Sequence, residues 1–372
     1  MTRPGVVVTS RAEPPPRSAP TDVGMAFMVG ATEKGDDVQM VTSMLQYQTV
    51  FGVRQGFTDT YDAAETYYQE GGAKLTVART NGTDATDVET ALALLTRDLG
   101  PGQVFAVGSA GFAAHDELIA HAAANNRIAI LDNDPASMTA SALEATAAGL
   151  QSNMNARYAA LFAPYAIVPG VTTADLRTVP FSALEAGIIA RNDARFSPNV
   201  AAAGVNGRSR FAVDLTARFT DPERESLNDA GVCIARTVYG EVRAYGYRTL
   251  AALDTGWGLL SNARLNMEIV ALAEEIGERY VFSQIDGRRV TISQFGADLT
   301  GMLIPYYEAG SLFGTSFDDA CYVDVGPAVN TLETIAAGEL RAIIGLRMSP
   351  FAELVTIEIV KVATETPLSV AA

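Results

Sequence analysis

The sequence predicts a protein of α/β and α+β class, with a small α/β sheet domain, a C-terminal α+β domain and an extended segment at each end. Strand and helix patterns alternate through 21–225, whereas 226–352 combines short strands with two long amphipathic helices. Residues 1–20 and 353–372 contain β-prone runs outside both patterns. We therefore predict an extended N-terminal arm and a C-terminal strand there.

Size and composition restrict the possible functions. The chain has 372 residues, enough for two or three domains, and its 48% hydrophobic content is typical of a folded, soluble protein. The formal net charge of −16 argues against nucleic acid as a partner, because binding phosphates requires a basic surface. No apolar run is long enough for membrane insertion, and the N-terminus lacks the apolar stretch of a signal peptide. We expect a protein that is made and assembled in a cytoplasm.

The first elements follow from hydrophobic pattern and from glycines that end helices. Residues 24–32 (GMAFMVGAT) form a continuous apolar run, which is typical of a buried strand. Helices are predicted at 43–50 and 62–70, because glycines follow both runs. The run 73–80 (AKLTVART) predicts a strand with alternating faces.

A βαβ-like series follows. Apolar residues at helical spacing alternate with short β-prone runs, which favours a small mixed or parallel sheet. Helices are predicted at 86–99, 114–125, 141–154 and 181–192, and strands at GQVFAVG, RIAILD and two short runs within ARYAALFAPYAIV.

The C-terminal part combines short strands with long helices. Residues 228–252 predict three strands, GVCIARTV, EVRAYGYR and TLA. Apolar residues at helical spacing predict helices over 265–281 and 290–309, the second bent near Pro305. Two more strands are predicted, at CYVDVG and LRAIIGLRM.

Asp132 and Asp134, at the end of the apolar run RIAILDNDP, are candidates for a divalent metal site. Ligands of α/β sheets bind at the carboxyl ends of strands, and two carboxylates there suit Mg²⁺. The other interpretation is a turn in which Asp-Asn-Asp-Pro caps the next helix. We favour the turn.

Other motifs are weak. Gly108 and Gly111 lie between a strand and a helix but match neither GxGxxG nor the Walker pattern. His115 and His121 are six residues apart, which places them on different faces of a helix, so they are poor co-ligands.

No nucleophile has a recognisable partner. Ser182 and Ser293 have no histidine nearby in the sequence. Cys233 and Cys321 lie far apart in apolar runs, which predicts two buried, reduced thiols. We therefore expect a protein that is not an enzyme and has no cofactor or bound metal.

The N-terminal arm has the composition of a strand on a stiff spacer. Val6, Val7 and Val8 are β-prone, and the three prolines at 14–16 exclude a helix and favour an extended conformation. The arm is locally basic in an acidic chain. Its arginines are Arg3, Arg11 and Arg17.

The C-terminal end is also strand-like. Val355, Ile357 and Ile359 alternate with polar residues, which predicts a half-buried strand. A lone strand cannot satisfy its own backbone groups and must pair with a sheet. If both ends pair with other copies, strand addition would join the copies into a continuous lattice.

The order of these segments resembles that of the tail sheath proteins of contractile bacteriophage tails, a family shared with R-type bacteriocins and related injection systems. RPGVVV and GMAFMVGATEKG resemble the family's arm and first strand, and VTSMLQYQTVFG, YYQEGGAKLTVART and RIAILDNDP resemble its next motifs. LNDAGVCIARTVYGEVRAYGYRTL is similar to the family's LNxAGINxIRxxxGxGIRVWGARTL, with Tyr245 in place of a tryptophan. LNMEIVALAEEIGERYVF resembles the helix that follows, although SQID replaces the usual EPN.

The resemblance implies a structural role. Copies would stack as six-fold rings around a rigid tube, with arm and C-terminal strand exchanged between subunits. Contraction would drive the tube through a host envelope without a cofactor. The implied partners are further copies in hexameric rings, the tail tube protein, and the baseplate and tail terminator proteins. By resemblance we expect the tube-facing helix to present Asn266, Glu268, Glu275 and Arg279.

Four interpretations remain open at this point. A phage tail sheath located in the virion and a sheath of a non-viral injection system have the same subunit physics. A type VI secretion sheath fits less well, since it usually needs two different chains. A small α/β metal-dependent enzyme would require Asp132 to bind its ion.

The basic arm gives a first testable expectation. Replacing Arg3, Arg11 and Arg17 by glutamate should abolish polymerisation, because the arm would then be repelled by an acidic neighbour. Negative-stain microscopy of the purified protein measures this. Normal long cylinders from the triple variant would refute the role of the arm charges.

Overall fold

A computed structural model describes residues 23–80, 84–108, 112–170 and 175–355. Helices and strands alternate over most of these ranges, so the predicted mixture of α/β and α+β elements is confirmed. The strands are β1 Ala26–Ala31, β2 Val38–Val41, β3 Leu75–Thr80, β4 Gly102–Ala106, β5 Arg127–Asp132, β6 Ala159–Ala163, β7 Ala166–Pro169, β8 Leu176–Val179, β9 Asp214–Leu215, β10 Val232–Val238, β11 Glu241–Ala244, β12 Cys321–Asp324 and β13 Ile343–Leu346. The helices are α1 Met44–Phe51, α2 Thr58–Glu70, α3 Ala85–Ala93, α4 His115–Ala124, α5 Ala140–Gln151, α6 Phe181–Asp193, α7 Asp221–Asp229, α8 Leu260–Glu278, α9 Val290–Glu308, α10 Phe317–Ala320 and α11 Leu332–Ala336.

Within the described ranges, eight strands form one twisted layer in the order β11-β10-β6-β5-β4-β1-β3-β2. The six central strands are parallel, and β2 and β11 pair antiparallel at the two edges. Alternate residues of β1 belong to different cores: Met28 packs with α2 and α6, and Phe27 with α3 and α4. Helices therefore cover both faces, as in other parallel sheets.

The strand at Leu75–Thr80 corrects one prediction. Alternating faces were expected, but Thr76 and Ala78 are as buried as Leu75 and Val77. The reason is that β3 lies between β1 and β2 with helices on both sides, so neither face meets solvent.

Boundaries differ in the segment that starts at Leu227. Its first residues end helix α7, which begins with a capping box formed by Thr220 and Glu223. No strand forms at the predicted TLA. The N–H groups of Thr249 and Leu250 donate to the carbonyl oxygens of Gly258 and Ala159, and not to a neighbouring strand in a regular ladder.

The predicted division between 225 and 226 falls inside helix α7, between two strands of the large sheet. Strand β10 pairs in parallel with β6, so residues on both sides of that position share one layer. A separate three-stranded antiparallel sheet, β8-β7-β9, also lies in the described part of the body. The division into domains stays a prediction.

Two long helices lead away from the large sheet. Helix α8 starts five residues before the predicted 265, and α9 contains Pro305 in its last turn. None of the helices in the described ranges has the length and apolar composition required to cross a membrane.

Glu185 on α6 places a carboxyl group in the apolar interior, where the charged form is unfavourable. It is fully buried, and neither carboxylate oxygen has a hydrogen-bond partner within the described residues. Burial raises the pKa of Glu185 well above its usual value, and nearby Glu70 adds to this, whereas Arg264 and Arg191 oppose it.

We expect Glu185→Gln to stabilise the protein at neutral pH. Because the folded-state pKa is raised, the native state binds the proton more tightly, so wild-type stability falls as pH rises above the unfolded value of about 4.3. The contribution of Glu185 to the slope approaches about 1.4 kcal/mol per pH unit and should be absent in the glutamine variant, which keeps the pH dependence that comes from other groups. Urea unfolding from pH 5 to 8 measures the difference.

The exposed Glu225→Gln provides the control and should leave the pH profile unchanged. If wild type and Glu185→Gln keep the same stability difference at every pH, Glu185 does not titrate in this way.

Candidate assembly site

Strands β12 and β13 form a small sheet that is separate from the large one. They pair antiparallel, with Cys321 opposite Leu346 and Val323 opposite Ile344. These four side chains point to one face, which packs against α8 and α9 through residues such as Leu265 and Leu303. The sheet is therefore fixed to the helices by its inner face.

Among the described residues, nothing pairs with one edge of this sheet, which therefore has free hydrogen-bonding capacity. Arg347 N–H donates to Ala320 C=O, so this pair is hydrogen-bonded and every second pair along the ladder is too. Ile344 and Leu346 then direct their N–H and C=O groups away from β12. In the described ranges no further strand joins β13. A two-stranded sheet is marginal alone, and such an edge is a template for another strand.

The last described residues return to the segment 227–251. The guanidinium of Arg248 donates to both carboxylate oxygens of Glu353, at 2.9 and 2.5 Å, and to the carbonyl oxygen of Asn228 at 2.6 Å. The ring of Phe351 meets that of Tyr247 edge to face, with centroids 6.4 Å apart. These contacts clamp the base of the C-terminal segment to the body.

Glycines explain the close packing around Arg248. Gly246 lies against the backbone of β10, where an added Cβ would come within 2.8 Å of the Cα of Cys233. Gly231 has φ +76°, which favours glycine, and connects α7 to β10. Among the other arginines, Arg236 lies over the ring of Tyr245.

The predicted tube-facing residues do not form one exposed surface. Glu275 and Arg279 are exposed, but Asn266 is half-buried. Glu268 is only 8% exposed, and burial raises its pKa although Tyr306 donates a hydrogen bond to it. Glu268 was therefore placed on the wrong face: it belongs to the packing between α8 and α9. The role of the others stays a prediction.

The predicted strand-exchange residues lie largely outside the described residues. This holds for Val6, Val7, Val8, Ile357 and Ile359, and for the charged positions Arg3, Arg11 and Arg17. Val355 is described, is 72% exposed and lies in no strand. Strand exchange between subunits therefore stays a prediction for all of these residues.

Asp132 and Asp134 have structural roles. Asp132 is buried and accepts the N–H of Ser182 at 2.9 Å, which caps α6; burial raises its pKa to about 7. Asp134 accepts the N–H of Ala136 in a turn, as predicted, but the next helix, α5, is capped by Thr139 and not by this segment. Among described residues, no three His, Cys, Asp or Glu side chains cluster as a metal site would require. This arrangement does not favour the metal-enzyme alternative.

The two histidines are satisfied by neighbours. Nε2 of His115 donates to the carbonyl oxygen of Asp132 at 2.7 Å. Nε2 of His121 accepts from the guanidinium of Arg127, and burial together with that cation lowers the pKa of His121 to about 4. Both rings thus have structural contacts, and those of His121 involve both of its nitrogens.

The other candidate site residues named from the sequence also lie in surroundings that do not favour binding or catalysis. Gly108 faces the carboxylate of Asp59, which would repel a phosphate, and Gly111 lies outside the described residues. The hydroxyl of Ser182 is buried. Cys233 and Cys321 are buried thiols, and Cys233 Sγ accepts the N–H of Arg248.

Comparison with known proteins identifies this architecture. No family model matches the sequence, and no curated protein does. A chain in the 6-fold symmetrised baseplate of the anti-feeding prophage (AFP) has a TM-score of 0.76 at 18% identity, over 97% of this chain and 99% of its own. A chain of an extracellular contractile injection system, the PVC sheath complex in contracted state, has a TM-score of 0.74 at 18% identity, over 97% and 98%. A sheath tail protein from Desulfitobacterium hafniense has a TM-score of 0.57 at 10% identity, over 86% and 93%.

The chain thus has the fold of the contractile sheath proteins, as the order of its sequence motifs predicted. The likeness extends over nearly the whole chain.

Sequence reasoning missed the partner of Arg248. Arg248 lies in the segment 227–251, whereas Glu353 lies 105 residues further on. No local sequence pattern connects the two residues, because their contact depends on the position at which the chain leaves β13.

The clamp predicts the effect of two substitutions. Arg248→Lys should lower stability by about 1–3 kcal/mol, because lysine keeps the charge but cannot form the fork to Glu353 and Asn228. Glu353→Gln should cost less and should make the residues after it more accessible to protease. Urea unfolding and limited proteolysis measure these effects.

Glu333→Gln, at an exposed position, provides the control and should change neither measurement. If cleavage after 353 is equally fast in wild type and Glu353→Gln, the ion pair does not hold the segment.

Proposed function

We propose that this chain is a structural sheath subunit that polymerises by strand addition. The observation that carries the proposal is the open edge of β13 on a sheet of only two strands, counted over the described residues. Its inner face already has an apolar layer in Ile344 and Leu346. A strand added here would gain main-chain hydrogen bonds and extend that layer.

The chain itself carries suitable strands. Val355, Ile357 and Ile359 alternate with polar residues, so a donated copy would turn its apolar side toward α8 and α9. The clamp at Arg248 supports donation to a neighbour, since it fixes the point at which the segment leaves the body. Val6, Val7 and Val8 would join the same sheet of another neighbour.

The polymer proposed on this basis is a helical cylinder of six-fold rings around a tube. Strand ladders would hold the copies together while their bodies rotate and slide during contraction. The extended cylinder would be metastable, so contraction would release free energy stored at assembly and drive the tube through a target envelope. The role is mechanical rather than catalytic, with baseplate, terminator and tube proteins as partners.

Such a sheath would work in a phage tail or in an injection device that is not viral. The high TM-scores to AFP and PVC chains favour the second setting, and PVC is described as an extracellular contractile injection system. In both settings we infer that the particle is assembled in the host cytoplasm.

Strand addition can be tested at one backbone group. Ile344→Pro removes the N–H that points away from β12 and leaves the ladder to β12 intact. We expect the variant to fold but to form no cylinders in negative-stain microscopy. Ile344→Val keeps the N–H and should polymerise like wild type. Cylinders of normal length from Ile344→Pro would refute pairing at this edge.

A further inference from the structure

Two apolar surfaces of the C-terminal part have no partner among the described residues. One is the turn between α8 and α9, residues 279–289, which we call the hairpin tip. The other is the side of the small sheet that faces away from the helices. We call it the outer face, and its large side chains are Phe313, Tyr322 and Ile343. Exposed apolar side chains grouped in this way indicate interaction sites.

The hairpin tip holds an aromatic ring in solvent. Phe282 is 101% exposed and its neighbour Val281 is 52% exposed. The backbone of Phe282 has φ +64°, a conformation that a bulky residue rarely adopts. Strained, exposed aromatics of this kind cluster at binding sites, where the partner compensates for the strain.

The outer face is flat and apolar at its centre. Tyr322 lies opposite Gly345, and its ring covers the position that a side chain at 345 would fill. Ile343 lies on the same side, and Phe313 extends it, because its N–H donates to the carbonyl oxygen of Arg347 at 2.7 Å. These three large side chains are each at least half exposed: 58% for Phe313 and Tyr322 and 50% for Ile343.

The charges around the two surfaces are opposite. The tip has three arginines, at 279, 288 and 289, and one acid, Asp286. The segment 311–350, which forms the outer face and its surroundings, has five acids and two arginines. Its acids are Asp318, Asp319, Asp324, Glu333 and Glu339. A basic tip with an aromatic ring therefore complements an acidic surface with an apolar centre.

We propose that the hairpin tip of one copy docks on the outer face of a second copy. Within one chain the tip and the face are both exposed, so neither covers the other. The two surfaces differ, so the contact is head-to-tail and repeats from copy to copy. This contact goes beyond strand addition at β13, because it uses side chains on a different surface of the sheet.

A mixing experiment tests the proposal with full-length chains. In the tip variant, Arg279→Glu and Arg288→Glu make the tip acidic; these side chains are 61% and 89% exposed. In the face variant, Asp318→Lys and Asp324→Lys make the face basic. Each variant alone should need at least about tenfold more protein than wild type to assemble. An equimolar mixture should assemble like wild type, because each acidic surface then meets a basic one.

Sedimentation velocity measures assembly, and circular dichroism verifies folding. Asp324 also accepts the N–H of Gly326, so Asp324→Asn provides a milder face variant if the lysine variant unfolds; it too should weaken assembly. A folded pair that fails to assemble when mixed overturns the proposal. Either variant assembling alone like wild type also overturns it and assigns the surface to another partner.

The aromatic ring is tested separately. Phe282→Ser should raise the protein concentration needed for assembly about tenfold, because a buried aromatic anchor is lost. Tyr239→Ser is the matched control, since Tyr239 is 97% exposed with φ +51° at a different turn. Equal effects of the two substitutions would contradict a specific role for Phe282. The Ile344→Pro result is independent, so failure of strand addition and failure of tip docking can be distinguished.

Discussion

The parallel pairing of β10 with β6 is the constraint on which the rest of the structure depends. It joins Val232–Ile234 to Leu161–Ala163 and makes the later part of the chain one edge of the large sheet. The turn after β11 then places Tyr247 and Arg248 where the base of the C-terminal segment can bind. Together with Leu260 and Met267 of α8, which pack in the core of the large sheet, this pairing positions the small sheet and its helices relative to the body.

Buried ion pairs also fix the arrangement of the helices that pack on the large sheet. Arg264 at the start of α8 is fully buried and forms an ion pair with Asp193 at the end of α6. Glu70 at the end of α2 is also buried, and accepts from Arg191 and from the backbone N–H groups of Arg210 and Phe211. Such pairs add little net stability, but removing one partner leaves a buried charge alone. They therefore favour one relative arrangement of these helices.

The proposed assembly uses different kinds of contact for different tasks. Main-chain pairing at β13 would be strong and insensitive to side-chain identity, which suits a connection that persists while bodies move. Contact between the hairpin tip and the outer face would depend on charge and on a few side chains, so it can form or break at lower cost. A sheath that changes length requires both kinds.

Helices and strands could be predicted from the sequence where residues close together in the chain determine them. Gly52 and Gly71 end helices α1 and α2 as predicted, and the apolar run of β1 is a buried strand. Predictions failed where a distant neighbour decides. No strand forms at TLA, because its N–H groups donate to the carbonyl oxygens of Gly258 and Ala159. Glu268 is buried because α9 packs over it. The same applies to the candidate site, since nothing near Arg248 in sequence indicates Glu353.

The sequence by itself determined the class of elements, their order and the presence of strand-like residues at both ends, because hydrophobic period, proline and glycine act over a few residues. Only the tertiary structure decided that β10 joins the large sheet, that β13 has an unpaired edge among the described residues and that Phe282 lies in solvent. These features depend on which distant backbone groups and side chains meet. Local sequence patterns do not specify these long-range contacts, because the contacts arise from the packing of the whole chain.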